Sequence, residues 1–175
     1  KVISLIGESR EETKLNQPIS LPQISIIGCQ TDTTRVKNFN VAHGSSANGG
    51  GIYSSESIVE VDNIDFFDNF SSNKGGAINS NESTVIVQNS TFNLNSCNSL
   101  GGAIYVDALS ICKIYNSVFT SNGAWNGGAI ATVGGGKLLI RGSRLSYNTA
   151  IGYNPSPDQD YPTFGGGGGI YQEWS

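Results

Sequence analysis

The tetrapeptide Gly-Gly-(Ala/Gly)-Ile occurs five times, at Gly49 to Ile52, Gly75 to Ile78, Gly101 to Ile104, Gly127 to Ile130 and Gly167 to Ile170. The first three intervals are 26 residues and the fourth is 40, so the chain is one unit repeated, with a single insertion. A second motif keeps the same phase. An apolar residue followed three positions later by Asn appears as Phe66 to Asn69, Phe92 to Asn95, Phe119 to Asn122 and Leu145 to Asn148, with a degenerate copy at Val41 to Gly44.

Aligned on the Phe/Leu position, the residues seven and five places upstream are Thr34 and Val36, Val59 and Val61, Val85 and Val87, Cys112 and Ile114, Leu138 and Ile140. Between them stand Arg35, Glu60, Ile86, Lys113 and Leu139. This alternation of apolar and mostly polar positions predicts a short strand opening each repeat. Three places before the Phe/Leu come Asn38, Asn63, Asn89, Asn116 and Gly142, residue types that tolerate a left-handed backbone, so this column predicts a tight corner. The Phe/Leu column then reads as a second strand, its trailing Asn as a second corner, and Gly-Gly-Ala-Ile as the start of a third strand.

Three short strands cannot bury an apolar face alone, but stacked copies can pair each strand with its equivalents above and below. The expected fold is therefore all-β, a right-handed parallel β-helix. Ladders of Val/Ile, Phe/Leu and Ile would fill it, and inward-facing Asn columns, Asn89 and Asn116 among them, would line the corners. Ile3 to Gly7 resembles Ile24 to Gly28 at a spacing of 21, and Ile27 precedes Thr34 by the interval that separates Ile52 from Val59. These segments read as two shorter coils, giving about seven coils of 21 to 27 residues. Residues 1–175 form a single β-helix segment, expected to be a slice of a longer chain. It divides into irregular coils over 1–35, regular repeats over 36–171 and a loop insertion over 149–166.

Charged residues make up 14% of the 175, with a formal charge of −4. The sequence has no run of Lys and Arg to release phosphate counterions, which argues against nucleic acid as a partner. No stretch of about 18 apolar residues occurs, so no membrane-spanning helix is expected. Three cysteines cannot all pair within one chain. Cys29, Cys97 and Cys112 also fall at different phases of the repeat, which predicts a buried Cys112 and unpaired loop thiols at Cys29 and Cys97.

No catalytic, cofactor or metal site is expected. The glycine pairs lead into an Ile-headed strand rather than the helix that a phosphate loop needs. Enzymatic β-helices cluster carboxylates across adjacent coils, but the column of Glu60 continues as Ile86, Lys113 and Leu139, and that of Asp65 as Thr91, Val118 and Arg144. Asp62, Asp65 and Asp68 gather at one corner as solvated charge. His43, the only histidine, reads as a loop residue. The candidate recognition element is the insertion, where Asn148 and Gly167 stand 19 positions apart and the other copies place the same Asn and Gly five or six apart. It presents Tyr153, Asp158, Asp160, Tyr161 and Phe164 on a proline-stiffened segment. Tyr53, Tyr105 and Tyr171 follow the ladder Ile and point outward by alternation. Strand preference for Tyr explains them, and such a stripe could also stack on sugar rings. Of the sequons at Asn69, Asn81 and Asn89, only Asn81 is expected to accept a glycan, because the other two occupy corner columns assigned to the interior.

Together, the in-phase Gly-Gly-Ala-Ile and Phe-x-x-Asn motifs resemble the repeat of the chlamydial polymorphic membrane proteins and the wider superfamily sharing it, over residues 36–171. The resemblance implies a surface-exposed or secreted β-helix, often an autotransporter passenger acting as an adhesin. Leu145 and Val41 depart from its Phe. The expected function is a non-enzymatic extracellular or cell-surface rod that presents recognition loops to a protein or glycan partner and adjoins flanking segments of the same chain. The alternatives are a polysaccharide lyase or hydrolase of β-helix type and a structural component of an extracellular filament.

Overall fold

Residues 4–16, 20–152 and 167–173 are described by the computed structural model. Each repeat runs once around a solenoid. In the second full turn the chain passes through Ile58–Phe67, Phe70–Lys74 and Ile78–Asn81. Every pairing between strands is parallel and joins a strand to its counterpart one turn away. Three sheets result, of ten, five and six strands, and the described residues contain no helix. The described residues form a parallel β-helix of five full turns preceded by one partial turn.

The ladders follow the sequence columns residue for residue. Thr34, Val59, Val85, Cys112 and Leu138 are successive partners, as are Val41, Phe66, Phe92, Phe119 and Leu145. Ile52, Ile78, Ile104, Ile130 and Ile170 do the same in the third sheet. Burial is complete at Phe66, Phe92 and Phe119. Their rings stack with centroids 4.7 and 4.4 Å apart and planes within 12°, because the strand spacing fixes the distance between identical side chains on adjacent rungs.

Corners are made by left-handed residues. Asn38, Asn63, Asn89 and Asn116 have φ between 47° and 61°, which turns the chain between the two halves of the first sheet. The first glycine of each pair is also left-handed, with φ from 52° to 71°. The second glycine answers a different demand: a Cβ at Gly102 would stand 2.1 Å from the carbonyl oxygen of Gly128 on the next turn.

Three expectations need correction. The coils number five full turns, not seven, because Ser4–Ile6 and Ile24–Ile27 belong to a single turn. The first pairs with Arg35 to Lys37 in the first sheet, the second with Ile52 to Ser55 in the third. Ile24, not Ile27, is the partner of Ile52. A further short strand also lies between the second corner and the glycine pair, at Ser45–Asn48, Phe70–Lys74, Ser96–Cys97, Gly123–Ala124 and Thr149–Ala150.

The third correction concerns which asparagines face inward. Asn89 and Asn116 are exposed, since a left-handed residue at that corner throws its side chain outward; Asn89 Nδ2 donates to Asp62 there at 2.8 Å. The buried ladder is the trailing Asn column. Asn69, Asn95 and Asn122 are at most 1% exposed, and each Oδ1 accepts from the Asn side chain or backbone N–H one turn earlier, or from Gly44 N–H at the first rung. Each Nδ2 donates in addition to the carbonyl of Val41, Phe66 or Phe92. The remaining corners are tied by serines. Ser83 and Ser110 accept from the N–H of Ser57 and Ser83, and Ser117 and Ser143 from that of Ser90 and Ser117.

Candidate functional site

With the ladders directed inward, the outer columns are the surface that the fold displays. On the first sheet these begin with a charge network over the first two full turns. Arg35 donates to Glu60 at 2.9 Å, and Lys37 reaches Glu60 at 3.1 Å and Asp62 at 3.3 Å. The hydrogen bond to Glu60 is the largest influence holding the Lys37 ammonium above its usual pKa. Asp65 pairs with Arg10 at 3.2 Å and accepts from the Thr91 hydroxyl. Asp68 meets His43 Nδ1 at 3.1 Å. The acids at this corner are therefore each engaged by a neighbour rather than converging on a shared point. Among the described residues no group of three or more His, Cys, Asp and Glu could hold a metal ion.

The tyrosine stripe is broken. Successive partners in its column are Ser25, Tyr53, Asn79, Tyr105, Ala131 and Tyr171, so tyrosine appears on every second turn. Tyr105 is only 3% exposed, with Lys74 Nζ 4.7 Å from its ring centroid. The expected outward tyrosine is thus covered, and it presents no face to a sugar. Tyr53 and Tyr171 remain half-buried, Tyr53 against a cavity of about 230 Å³ that Leu21, Pro22, Ala47 and Asn48 also line.

Asn69 is buried, as the sequence reading required, but Asn89 is exposed. Its exclusion as a glycan acceptor on grounds of burial does not hold. Asn81 is half-buried at the end of its strand. The candidate recognition residues Tyr153, Asp158, Asp160, Tyr161 and Phe164 lie outside the described residues.

The cysteines sort by depth. Cys112 is wholly inside, and burial pushes its thiol up to about 12. Cys97, expected in a loop, sits in a strand of the second sheet at 4% exposure, donating to the Asn73 carbonyl at 3.0 Å; burial raises it as well. Cys29 is partly exposed. The thiolate is the reacting form, so a coloured disulfide reagent should modify only Cys29 in the native protein, and all three thiols in denaturant. Rapid native reaction at two or more thiols would contradict this burial.

Two successive turns, residues 63–81 and 89–107, match the Chlamydia polymorphic membrane protein repeat. No curated protein and no solved structure gives a significant match to the chain. Each matched stretch begins at a left-handed corner Asn and runs through the Phe rung, the buried Asn, the glycine pair and the ladder Ile, which are the parts that set the solenoid. Those same rungs continue above and below the matched turns, so two turns of the β-helix match the Chlamydia polymorphic membrane protein repeat and the others follow the same columns.

Proposed function

We propose that this protein is a non-enzymatic surface module, a rigid β-helical rod whose outer columns and loops contact a partner at the cell exterior. The observation that carries the reading is the division of labour between columns. Inward positions keep their apolar, β-branched character from turn to turn, as in Val36, Val61, Val87, Ile114 and Ile140. The outward column beside them changes from Arg35 to Glu60, Ile86, Lys113 and Leu139. What recurs is the scaffold; what varies is the surface it displays.

The repeat family supports a surface location, and the carboxylate arrangement favours binding over catalysis. A lyase or hydrolase on this scaffold needs acids aligned across coils and free to exchange protons, whereas Glu60, Asp62 and Asp65 are tied to Arg35, Lys37 and Arg10. The test is exposure on intact cells. Antibody raised to the chain should label unpermeabilised cells, and added protease should remove that signal. Labelling only after permeabilisation would overturn the surface reading, and release of unsaturated sugars from polygalacturonate would overturn the non-enzymatic one.

A further inference from the structure

The rungs gather cations that are scattered in sequence. Residues 84 to 152 hold four, Lys113, Lys137, Arg141 and Arg144, against one carboxylate, Asp107, a net +3 within a chain of net −4. All four project from the outer face of the first sheet over its last two turns, because each alternates with an inward ladder residue: Cys112 and Ile114, Leu138 and Ile140, Leu145. Ile111 partners Lys137, Lys113 partners Leu139 and Tyr115 partners Arg141. From strand rise and spacing, Lys113 lies about 8 Å from both Lys137 and Arg141. Arg144 continues the row past the corner at Gly142.

Lys137, Arg141 and Arg144 are exposed and Lys113 is half-buried, and among the described residues none of the four forms an ion pair. Asp107 is turned into its own corner, where it accepts from the Ser110 hydroxyl and from the N–H groups of Glu82 and Leu109. At the other end of the same sheet Arg35, Lys37 and Arg10 are neutralised by Glu60, Asp62 and Asp65. Among the described residues, one end of the first sheet therefore carries positive charge without an acidic partner, on both sides of its corner.

We propose that this face is a binding site for a sulfated or otherwise strongly acidic linear polysaccharide. The proposal deepens the surface-module reading and rests on it. Charge complementarity requires an anion, and the spacing selects its class. Duplex nucleic acid carries a charge every ~1.7 Å, and its binders typically neutralise about 6 to 10 phosphates, more than this row supplies on a chain that is acidic elsewhere. A linear acidic glycan presents widely spaced anions along an extended strand. It also offers apolar sugar faces to Tyr115 and to the exposed Leu139 and Val118 lying among the cations.

The test uses the full chain on immobilised heparin. Retention at about 0.15 M ionic strength is expected, with elution at higher salt. Lys113→Gln with Arg141→Gln should weaken binding ten-fold or more while far-ultraviolet circular dichroism and the melting temperature stay unchanged. The same charge loss placed elsewhere, as Lys14→Gln with Arg35→Gln, should change it less than two-fold. No retention of the wild-type chain, or equal loss in both double variants, would overturn the site. Binding to a single-stranded oligonucleotide or to phosphatidylserine vesicles as tight as to heparin would overturn the polysaccharide assignment. Each failure leaves the surface-module reading standing, because cell labelling tests that separately.

Discussion

Gly102→Ala should destabilise the protein by about 3 kcal/mol, whereas Gly123→Ala should be neutral or slightly stabilising. Neither glycine is left-handed, so the contrast isolates space from backbone conformation. A methyl on Gly102 would lie 2.1 Å from the Gly128 oxygen and 2.7 Å from both the nitrogen and oxygen of Gly123. All three are backbone atoms and cannot rotate aside. Nor can the Gly128 carbonyl be pushed away cheaply, because its neighbours are fixed: the Gly127 oxygen accepts from Gly102, and the Ala129 oxygen from Ala103 and Ile104. A methyl on Gly123 meets nothing closer than the Thr149 oxygen at 3.9 Å. Urea denaturation of the two variants beside the parent would measure the difference. Equal midpoints would show that the turns can separate by an ångström without penalty, against the close stacking described above.

That glycine was legible as structural from the phase of the repeat, and so were the ladders. A column read from sequence becomes a row of strand partners once the turns are equal in length, which is why the Phe, Ile and Val columns could be assigned before any coordinates. The short strand of the second sheet was not legible. Ser96–Cys97, Gly123–Ala124 and Thr149–Ala150 are two residues long and mostly small or polar, so they show neither alternation nor β-propensity. The partial first turn was misread because the likeness of Ile3 to Gly7 and Ile24 to Gly28 suggested equivalence, whereas their partners place them on different sheets.

The positive face was hidden for the opposite reason. Lys113 and Arg141 are far apart in sequence and become neighbours only through the register that joins Lys113 to Leu139 and Tyr115 to Arg141. That signal was present in the outward column once aligned. Arg35, Lys37 and Arg10 share the sheet, but their acid partners cancel them. Pairing, more than the count of lysines and arginines, decides where a solenoid with few charges presents a field.

The two asparagine columns give the sharpest test, since composition alone cannot tell them apart. Asn95→Ala should cost about 3 kcal/mol, because its removal leaves the buried Asn69 N–H without an acceptor, at roughly 1 to 3 kcal/mol, and takes one bond each from the Phe66 carbonyl and from the Asn69 side-chain amide, which keeps the Val41 carbonyl. The wild-type contacts are 3.0 to 3.1 Å, and both Asn69 and Asn95 are fully buried. Asn89→Ala removes one exposed bond to Asp62 and places a Cβ without a compensating polar group at φ 48°, for a loss of about 1 to 2 kcal/mol. Its origin is conformational, so Asn89→Gly should recover most of it, while Asn95→Gly should recover nothing. Thermal or urea melts of the four variants would decide between the columns. Equal losses at Asn89 and Asn95, or rescue of Asn95 by glycine, would mean that the buried ladder is not what ties one turn to the next.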